Sequence, residues 1–214
     1  MVANYLEPAE ILAEALFGLI MVLTVTLGAR LAMGEDGGAR ELLIAALGCN
    51  LAWGIIDGAI YVMNNMFIRG RRARIFSELK RSGEDGALAI IARELDPRLA
   101  DLTTPEERDR LHRSVLAIAV RTPAEKTRIA RDDIYGGLVC AALVFLTALP
   151  PTVPFMLIDD PFLALRISNG MLVAMLFGLG YYWAIHTNAS RIGTGLAMMG
   201  VGLALVFAAM ALGG

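Results

Sequence analysis

The stretch GCNLAWGIIDGAIYVMNNM, residues 48–66, carries the carboxylate of Asp57 in the middle of an otherwise apolar run. A helix that crosses a bilayer needs about 20 predominantly apolar residues, and this run nearly supplies them. A charged Asp at the centre of such a helix costs about 2.5–3.5 kcal/mol on insertion scales, so acids there usually face a bundle interior or a watery cavity. If the rest of the chain belongs in a membrane, Asp57 is therefore a candidate functional residue.

The composition of the chain places it in a membrane. Of the 214 residues, 57% are hydrophobic and 19% are charged, whereas soluble domains carry about 25% charged residues. Five blocks are nearly free of charge, and the first becomes long enough for a span if Glu10 and Glu14 belong to its helix. The blocks are residues 15–29, 42–68, 134–158, 161–185 and 192–213. We predict an all-α integral membrane protein with five transmembrane helices.

The basic residues predict the topology. Of the 19 Lys and Arg, 15 lie between Arg69 and Arg131, in the one long connection. Because Lys and Arg near span ends favour the cytoplasm, we expect the N-terminus and residues 69–132 inside and the C-terminus outside. Residues 1–68 then hold the first two spans, and residues 133–214 hold the last three. The N-terminal flank has no Lys or Arg and does not resemble a cleavable signal peptide.

The connection itself is predicted to be a small helical domain. Residues 71–81 continue the second membrane helix, and an amphipathic helix over 84–95 is expected to end before Pro97. Two Thr-Pro-x-Glu patterns follow, at Thr104 and Thr122, each with a hydroxyl at the N-cap, proline at N1 and Glu at N3. The second pattern is expected to begin a helix that runs directly into the third span.

The segment ALPPTVPF, residues 148–155, contains Pro150, Pro151 and Pro154 near the outer end of the third span. Proline has no amide donor, so we expect the helix to be disrupted there. Two interpretations remain open: a simple helix terminator near the outer surface, or a break that lines a cavity or gate.

A polar stripe follows the second helix. Asn50, Asp57 and Asn64 are seven residues apart, a spacing that keeps them on one face, and Tyr61 adds a hydroxyl to it. Polar side chains can serve as hydrogen bonds between membrane helices, and this is an adequate explanation for Asn50. Because such contacts do not require an ionisable group, Asp57 is better explained by a function.

Acidic residues also follow one face of the first helix. Glu7, Glu10 and Glu14 are three and four apart, with no Lys or Arg nearby. Glu7 and Glu10 can be explained as solvated residues at a helix N-terminus, whereas Glu14 lies deeper. With about 1.5 Å rise per residue, Glu14 and Asp57 differ in depth by roughly 6 Å. Two membrane carboxylates without a basic partner indicate a cation, which could be a proton or a metal ion.

Methionines suggest which cation. The chain has 11 of them; Met63 lies six residues inward of Asp57, and Met21 lies seven beyond Glu14. Thioether and carboxylate ligands together suit Fe(II) or Mn(II) better than Mg²⁺ or Ca²⁺, although methionine is also an ordinary packing residue. The candidate metal ligands are Glu14, Asp57, Met63, Asn50 and Met21.

The remaining reactive side chains predict no enzyme. His112 and His186 have no suitably spaced partner, and Cys49 and Cys140 lie in predicted spans, where they define no disulfide framework. There is no CxxC, HExxH, P-loop or dinucleotide-binding pattern. We expect no enzymatic activity, no tightly bound cofactor and no nucleic-acid partner.

Several segments resemble the vacuolar iron transporter family. GIIDGAIYV (54–62) lies where that family has an acid among small residues, and EALFGLIMVLTVTLG (14–28) lies where its first-helix acidic motif occurs. ALPPTVPF resembles the Pro-rich end of its third helix, and residues 178–207 resemble its loop into the last helix. The arrangement of two spans, a helical insert and three spans is also similar.

This resemblance implies a homodimer that exports Fe²⁺ or Mn²⁺ from the cytosol in exchange for protons, here in a bacterial inner membrane. Its ligands would fall on Glu14, Asp57 and Met63. The family has an Asp-Gly pair where Glu14 precedes Ala15, and its insert carries Glu-x-x-Glu pairs that residues 69–132 lack. We therefore regard the chain as a divergent member of bacterial type.

Two other functions remain open. One is a non-transporting membrane protein whose basic insert recruits a cytosolic partner or anionic lipid. The other is a proton-coupled carrier of a small organic solute, which would use the acids but neither Met63 nor Met21.

Overall fold

The computed structural model describes residues 5–33, 39–123 and 128–211, and all the regular secondary structure within these ranges is helical. It contains seven α-helices there, a single 3-10 turn and no strand. They are α1 (Pro8–Met33), α2 (Ala39–Arg81), α3 (Glu84–Leu99), α4 (Pro105–Arg121), α5 (Arg131–Leu157), α6 (Pro161–Trp183), the 3-10 turn (Ala184–His186) and α7 (Arg191–Ala211). The all-α prediction is confirmed.

Four of the described helices are long and apolar enough to cross a membrane. Their apolar ranges are Pro8–Thr26, Leu43–Arg81, Arg131–Leu157 and Pro161–His186. In α7 the corresponding range that the structure describes, Arg191–Leu205, is shorter. The chain is therefore a multi-pass membrane protein, and the count of five spans stays a prediction.

The chain divides into two compact units. The first takes the residues up to Val62 and those from Arg131 onward, and the second is Met63–Ala130. The boundary falls within α2. We describe each unit by itself below.

In the first unit, α1, α5, α6 and α7 pack against one another. The core is a cluster of almost completely buried apolar side chains from four helices, which we call the apolar layer. Its members are Leu19, Val22 and Leu23 of α1, Ala46 of α2, Ala148 of α5, and Leu172 and Leu176 of α6. Burial of these side chains brings the polar residues of α1, α2 and α5 to defined positions at either side of the layer.

Proline residues do not end α5 where the sequence predicts. The helix continues through Pro150, Pro151 and Pro154 to Leu157, so the expected disruption is wrong. Each proline removes only its own N–H donor, so the residues between and after them still make helical hydrogen bonds. The segment is also held by packing, because Phe155 and the α6 residue Leu165 belong to one buried cluster.

The second unit consists of α3, α4 and the end of α2. Leu79 of α2, Ala87 and Ile91 of α3, and Ala119 of α4 form its buried core, which agrees with the predicted amphipathic pattern. As predicted, residues 71–81 continue α2 as a helix.

The helix ends of the second unit include one confirmed prediction and two corrections. Thr104 and Glu107 form a complete capping box at the start of α4. α3 does not stop before Pro97 but ends at Leu99, because a proline in the last turn removes only one hydrogen bond. Residues 128–130 are not helical, so no helix runs from Thr122 directly into α5; Glu125 of the second pattern lies outside the described residues.

Candidate metal-binding site

Three helices of the first unit bring acidic and thiol groups together. Glu14 of α1 is half-buried, and Cys140 of α5 is completely buried. The carboxylates of Asp57 on α2 and of Glu10 lie within electrostatic range of both Glu14 and Cys140. The structure therefore brings Glu14 and Asp57 into one cluster, as their similar depths in the sequence suggested.

Asp57 has one carboxylate oxygen without a protein partner. Its Oδ2 atom is buried and accepts no hydrogen bond from the residues that the structure describes. A buried carboxylate oxygen of this kind is costly unless a proton or a cation satisfies it. Asp57 is thus the best candidate in the cluster for binding a cation.

Close packing of glycine residues holds α2 against α5 at this level. A Cβ atom at Gly54 would lie 2.8 Å from the carbonyl oxygen of Ala141, and one at Gly58 would lie 2.5 Å from that of Gly137. Gly54 and Gly58 form a GxxxG pattern, which allows helix backbones in membranes to approach closely. Asp57 lies between these two contacts, so its backbone is fixed beside the turn of α5 that carries Cys140.

α1 is held against α5 in the same way. A Cβ atom at Gly18 would lie 2.7 Å from the carbonyl oxygen of Val144. Closer to the start of α1, the hydroxyl of Tyr61 donates a hydrogen bond of 2.6 Å to the carbonyl oxygen of Tyr5. These contacts position the acidic face of α1 relative to α2 and α5.

Glu10 has a second role at the start of α1. Its carboxylate accepts a 2.8 Å hydrogen bond from the backbone amide of Glu7, as a residue at N3 does in a capping box. Glu7 and Glu10 are both exposed, which agrees with their interpretation as helix N-terminal residues. Of the three acidic residues, Glu14 is the one that is half-buried.

The other predicted ligands occupy different surroundings. Asn50 is completely buried; its Nδ2 donates to the carbonyl oxygen of Ala46 at 3.0 Å, and its Oδ1 has no partner among the described residues. Met21 is half-buried. Met63 belongs to the second unit and is 68% exposed. Six residues turn an α-helix by about 600°, so Met63 points roughly 120° away from the direction of Asp57.

The apolar layer follows the acidic cluster along α1. Leu19, Val22 and Leu23 come after Glu14. Farther along α1, the hydroxyl of Thr26 donates to Oδ1 of Asn169 on α6 at 2.9 Å. Ser168, beside Asn169, is completely buried, and its Oγ has no partner among the described residues. Polar side chains thus lie before and after the layer along α1.

The cluster is not a closed coordination shell. Among the described residues, no three His, Cys, Asp or Glu side chains are grouped closely enough to hold a metal ion as they stand.

Neither histidine belongs to this cluster. His112 is buried in the second unit, and its Nε2 lies 2.9 Å from Oδ1 of Asp96, so it links α4 to α3. The ring of His186 packs edge-on against Tyr182.

Cys140 is the residue of the cluster that the sequence analysis missed. A cysteine within a predicted span gives no signal of its own. The Gly136-Gly137 pair beside Cys140 indicates close helix packing.

Apolar membrane-length helices packed around intramembrane carboxylates define a multi-pass membrane protein with an acidic site in its helical bundle. The model of the VIT family matches residues 69–214. The chain therefore belongs to the vacuolar iron transporter (VIT) family, whose members are metal-ion transporters of membranes and not enzymes. No curated protein matches the chain.

Membership supports metal-ion transport across a lipid bilayer as the general function. The match begins at Arg69, within α2. Cys140 lies inside the matched range, whereas Glu14 and Asp57 lie before it. The assignment of the acidic site therefore rests on the chain's own sequence and geometry.

Proposed function

We propose that this protein exports a divalent transition metal ion, Fe²⁺ or Mn²⁺, from the cytosol in exchange for protons. The observation that carries the proposal is the buried Oδ2 of Asp57, which has no partner among the described residues; the Asp57 carboxylate is also within electrostatic range of Glu14. Two neighbouring carboxylates in a membrane protein of a metal-transporting family are suited to hold either one metal ion or protons.

The exposure of the acidic residues suggests the route of entry. The cation would meet exposed Glu7 and Glu10 first and then the half-buried Glu14. Beyond Glu14, the apolar layer would narrow the path, because its own side chains are all apolar. In this mechanism the site faces the cytosol, together with the N-terminus and residues 69–132.

Release would require the apolar layer to open toward Thr26, Ser168 and Asn169. The site would then exchange its metal ion for protons from the other side, and the protonated carboxylates would return to the cytosolic side. Asn50, with its free buried oxygen, and Met21 are suited to contact the ion on the way. Met63 remains a proposed ligand at the cytosolic end.

We further propose that the protein is a homodimer. Large apolar side chains are exposed along α2, among them Trp53, Ile55, Ile56 and Ile60. In a membrane this surface would contact lipid or a second copy of the chain. Measurement of the mass of the protein in detergent and crosslinking in the membrane would decide between the two.

Transport by purified protein in proteoliposomes tests the function. Fe²⁺ and Mn²⁺ movement would be followed with an internal metal-sensitive dye, and proton movement with a pH dye. Asp57→Asn should reduce metal flux by at least about tenfold, the loss that even removal of an outer-shell partner can cause. The control is Asp159→Asn, which makes the same change at an exposed acid between α5 and α6.

The outcome also separates the other interpretations. Equal flux in wild type and Asp57→Asn would disprove the proposed site. A protein that moves no metal, and whose cellular role depends on residues 84–121 but not on Asp57, would instead support recruitment of a partner or lipid by the basic insert. Proton flux driven by an organic solute, without metal, would support the solute carrier.

A further inference from the structure

We propose that residues 5–7, which we call the N-terminal segment, are a gate at the cytosolic end of the acidic site, and that the hydroxyl of Tyr61 holds this gate closed. The inference rests on the proposed function, which assigns this end of the bundle to the cytosol. It gives Tyr61 a role in the rate at which an ion enters and leaves the site.

The N-terminal segment is anchored although it precedes α1. The hydroxyl of Tyr61 on α2 donates a 2.6 Å hydrogen bond to the carbonyl oxygen of Tyr5. The ring of Tyr5 lies 5.9 Å from that of Tyr135 on α5, measured between centroids, and Leu6 is 3% exposed. Residues ahead of the first helix are ordered only when such contacts tie them down. The segment is therefore held to α2 and α5, the two helices that carry Asp57 and Cys140.

The ring of Tyr61 is fixed by a glycine of α5. A Cβ atom at Gly136 would overlap the Tyr61 ring, so the ring occupies the space that this glycine leaves free. The ring is thus packed against the α5 backbone, and its hydroxyl is presented to the Tyr5 carbonyl. Tyr61 joins three parts of the chain: α2, α5 and the segment that leads into α1.

This contact lies at the end of the site where an ion would enter. Tyr61 follows Asp57 by four residues on α2, which is about 6 Å along a helix axis. An ion that moves from exposed Glu7 and Glu10 to half-buried Glu14 travels along the start of α1. Because the N-terminal segment holds that start against α2 and α5, its release would widen the entrance.

The closing contact is much weaker than the contacts that hold the helices together. A single hydrogen bond contributes only modestly to stability in net terms, so the bond between Tyr61 and Tyr5 can break while the bundle stays folded. One turn farther in, Gly58 and Gly137 meet backbone to backbone, and that packing need not change. Local opening at the end of a helix is the motion that such a difference in stability permits.

Hydrogen exchange tests whether Tyr61 holds the segment. Tyr61→Phe keeps the ring and removes only the hydroxyl. In full-length protein in detergent, amides of the first turn of α1, such as that of Ile11, which donates to the carbonyl oxygen of Glu7, should exchange roughly three- to tenfold faster. The control is Tyr182→Phe on α6, an exposed tyrosine whose ring contacts His186, and it should leave this turn unchanged.

Binding kinetics separate a gate from a merely structural contact. Co²⁺ serves as the probe ion, its association followed by stopped flow and its dissociation by capture with an excess of metal-sensitive dye. Tyr61→Phe should speed both steps by a similar factor, about three- to tenfold, and leave the Kd nearly unchanged. A structural role alone would instead weaken binding and would not speed association.

A reversible crosslink tests the gate from the opposite direction. Tyr5→Cys and Tyr135→Cys would be combined with Cys49→Ser, and a short bifunctional thiol reagent with a reducible link would join the two introduced cysteines, as verified by mass spectrometry. Cys140 is completely buried and is retained. Metal flux in proteoliposomes should stop when the crosslink forms and return when it is reduced.

Equal Co²⁺ rates in wild type and Tyr61→Phe, or undiminished flux through the crosslinked protein, would overturn the inference. If metal flux still depends on Asp57 in that case, the proposed function stands without the gate. If the wild-type protein neither binds nor moves metal, the proposed function and the gate both fail.

Discussion

Gly58 of α2 and Gly137 of α5 approach each other so closely that neither position has room for a side chain. A Cβ atom at Gly58 would lie 2.5 Å from the carbonyl oxygen of Gly137, and one at Gly137 would lie 2.6 Å from that of Gly58. Such reciprocal contact brings the two backbones together between Asp57 and Cys140. The acidic site therefore depends on two residues that have no functional groups.

Gly58→Ala should destabilise the protein and weaken metal binding. The added methyl group meets backbone, which cannot yield as a flexible side chain can, and overpacking of this kind costs about 1–3 kcal/mol. Gly48→Ala, in the same helix with no atom within 4 Å, should leave stability unchanged or raise it slightly. The midpoint of thermal unfolding in detergent and the Co²⁺ affinity test both statements. Equal effects of the two substitutions would contradict the packing argument.

Metal binding should strengthen as pH rises. A carboxylate can hold a proton or a metal ion but not both, so protons compete with the metal at low pH. Asp57→Asn and Glu14→Gln should each reduce the slope of log Kd against pH by up to about one proton. Co²⁺ titrations from mildly acidic to neutral pH measure this slope. Asp159→Asn should not change it, and an unchanged slope in both site variants would exclude coupling through these carboxylates.

Loosening the packing of the apolar layer should allow protons to leak through the protein. Leu172 is completely buried in the layer, and truncation of a buried Leu to Ala costs about 2–5 kcal/mol. We expect Leu172→Ala to lower thermal stability and to raise metal-independent proton flux in proteoliposomes. Leu163→Ala, at an exposed position of the same helix, is the control. If proteoliposomes with the Leu172→Ala variant show no increase in proton flux, the barrier to ions lies elsewhere in the protein.

Removal of the N-cap of α4 should affect only the first turn of that helix. Thr104→Ala removes the side chain that accepts from the Glu107 amide, and such substitutions cost about 0.5–2 kcal/mol. Hydrogen exchange on the full-length protein should become faster in the first turn of α4. Ser114→Ala, on the exposed face of the same helix, should leave that turn unchanged, and metal transport should be normal in both variants.

Much of the fold was predictable because its signals are local. Runs of apolar residues predicted membrane helices, and the Thr-Pro-x-Glu pattern at Thr104 predicted a cap that the structure contains. The errors concern proline. The sequence shows that Pro97 and Pro151 lack donors, but it does not show whether packing retains the helix around them.

The site was predictable only in part. Asp57 and Glu14 stand out because placing an acid in an apolar membrane helix costs free energy however the helices pack. Cys140 does not stand out, because a cysteine in a span is ordinary; only the packing of α5 brings it near the acidic residues. Met63 was chosen as a candidate ligand because it lies close to Asp57 in the sequence. In the structure its side chain is exposed.

The sequence by itself determined that this is a helical membrane protein with carboxylates inside its spans. The free energy of moving a side chain from water into the membrane depends mainly on that residue, and so it can be read from the sequence. Which side chains meet was decided only by the tertiary structure. Contacts such as that of Gly58 with Gly137 join residues far apart in the chain, and their close approach depends on the packing of whole helices. That packing brings Cys140 to Glu14 and Asp57 and turns two isolated acids into a candidate site.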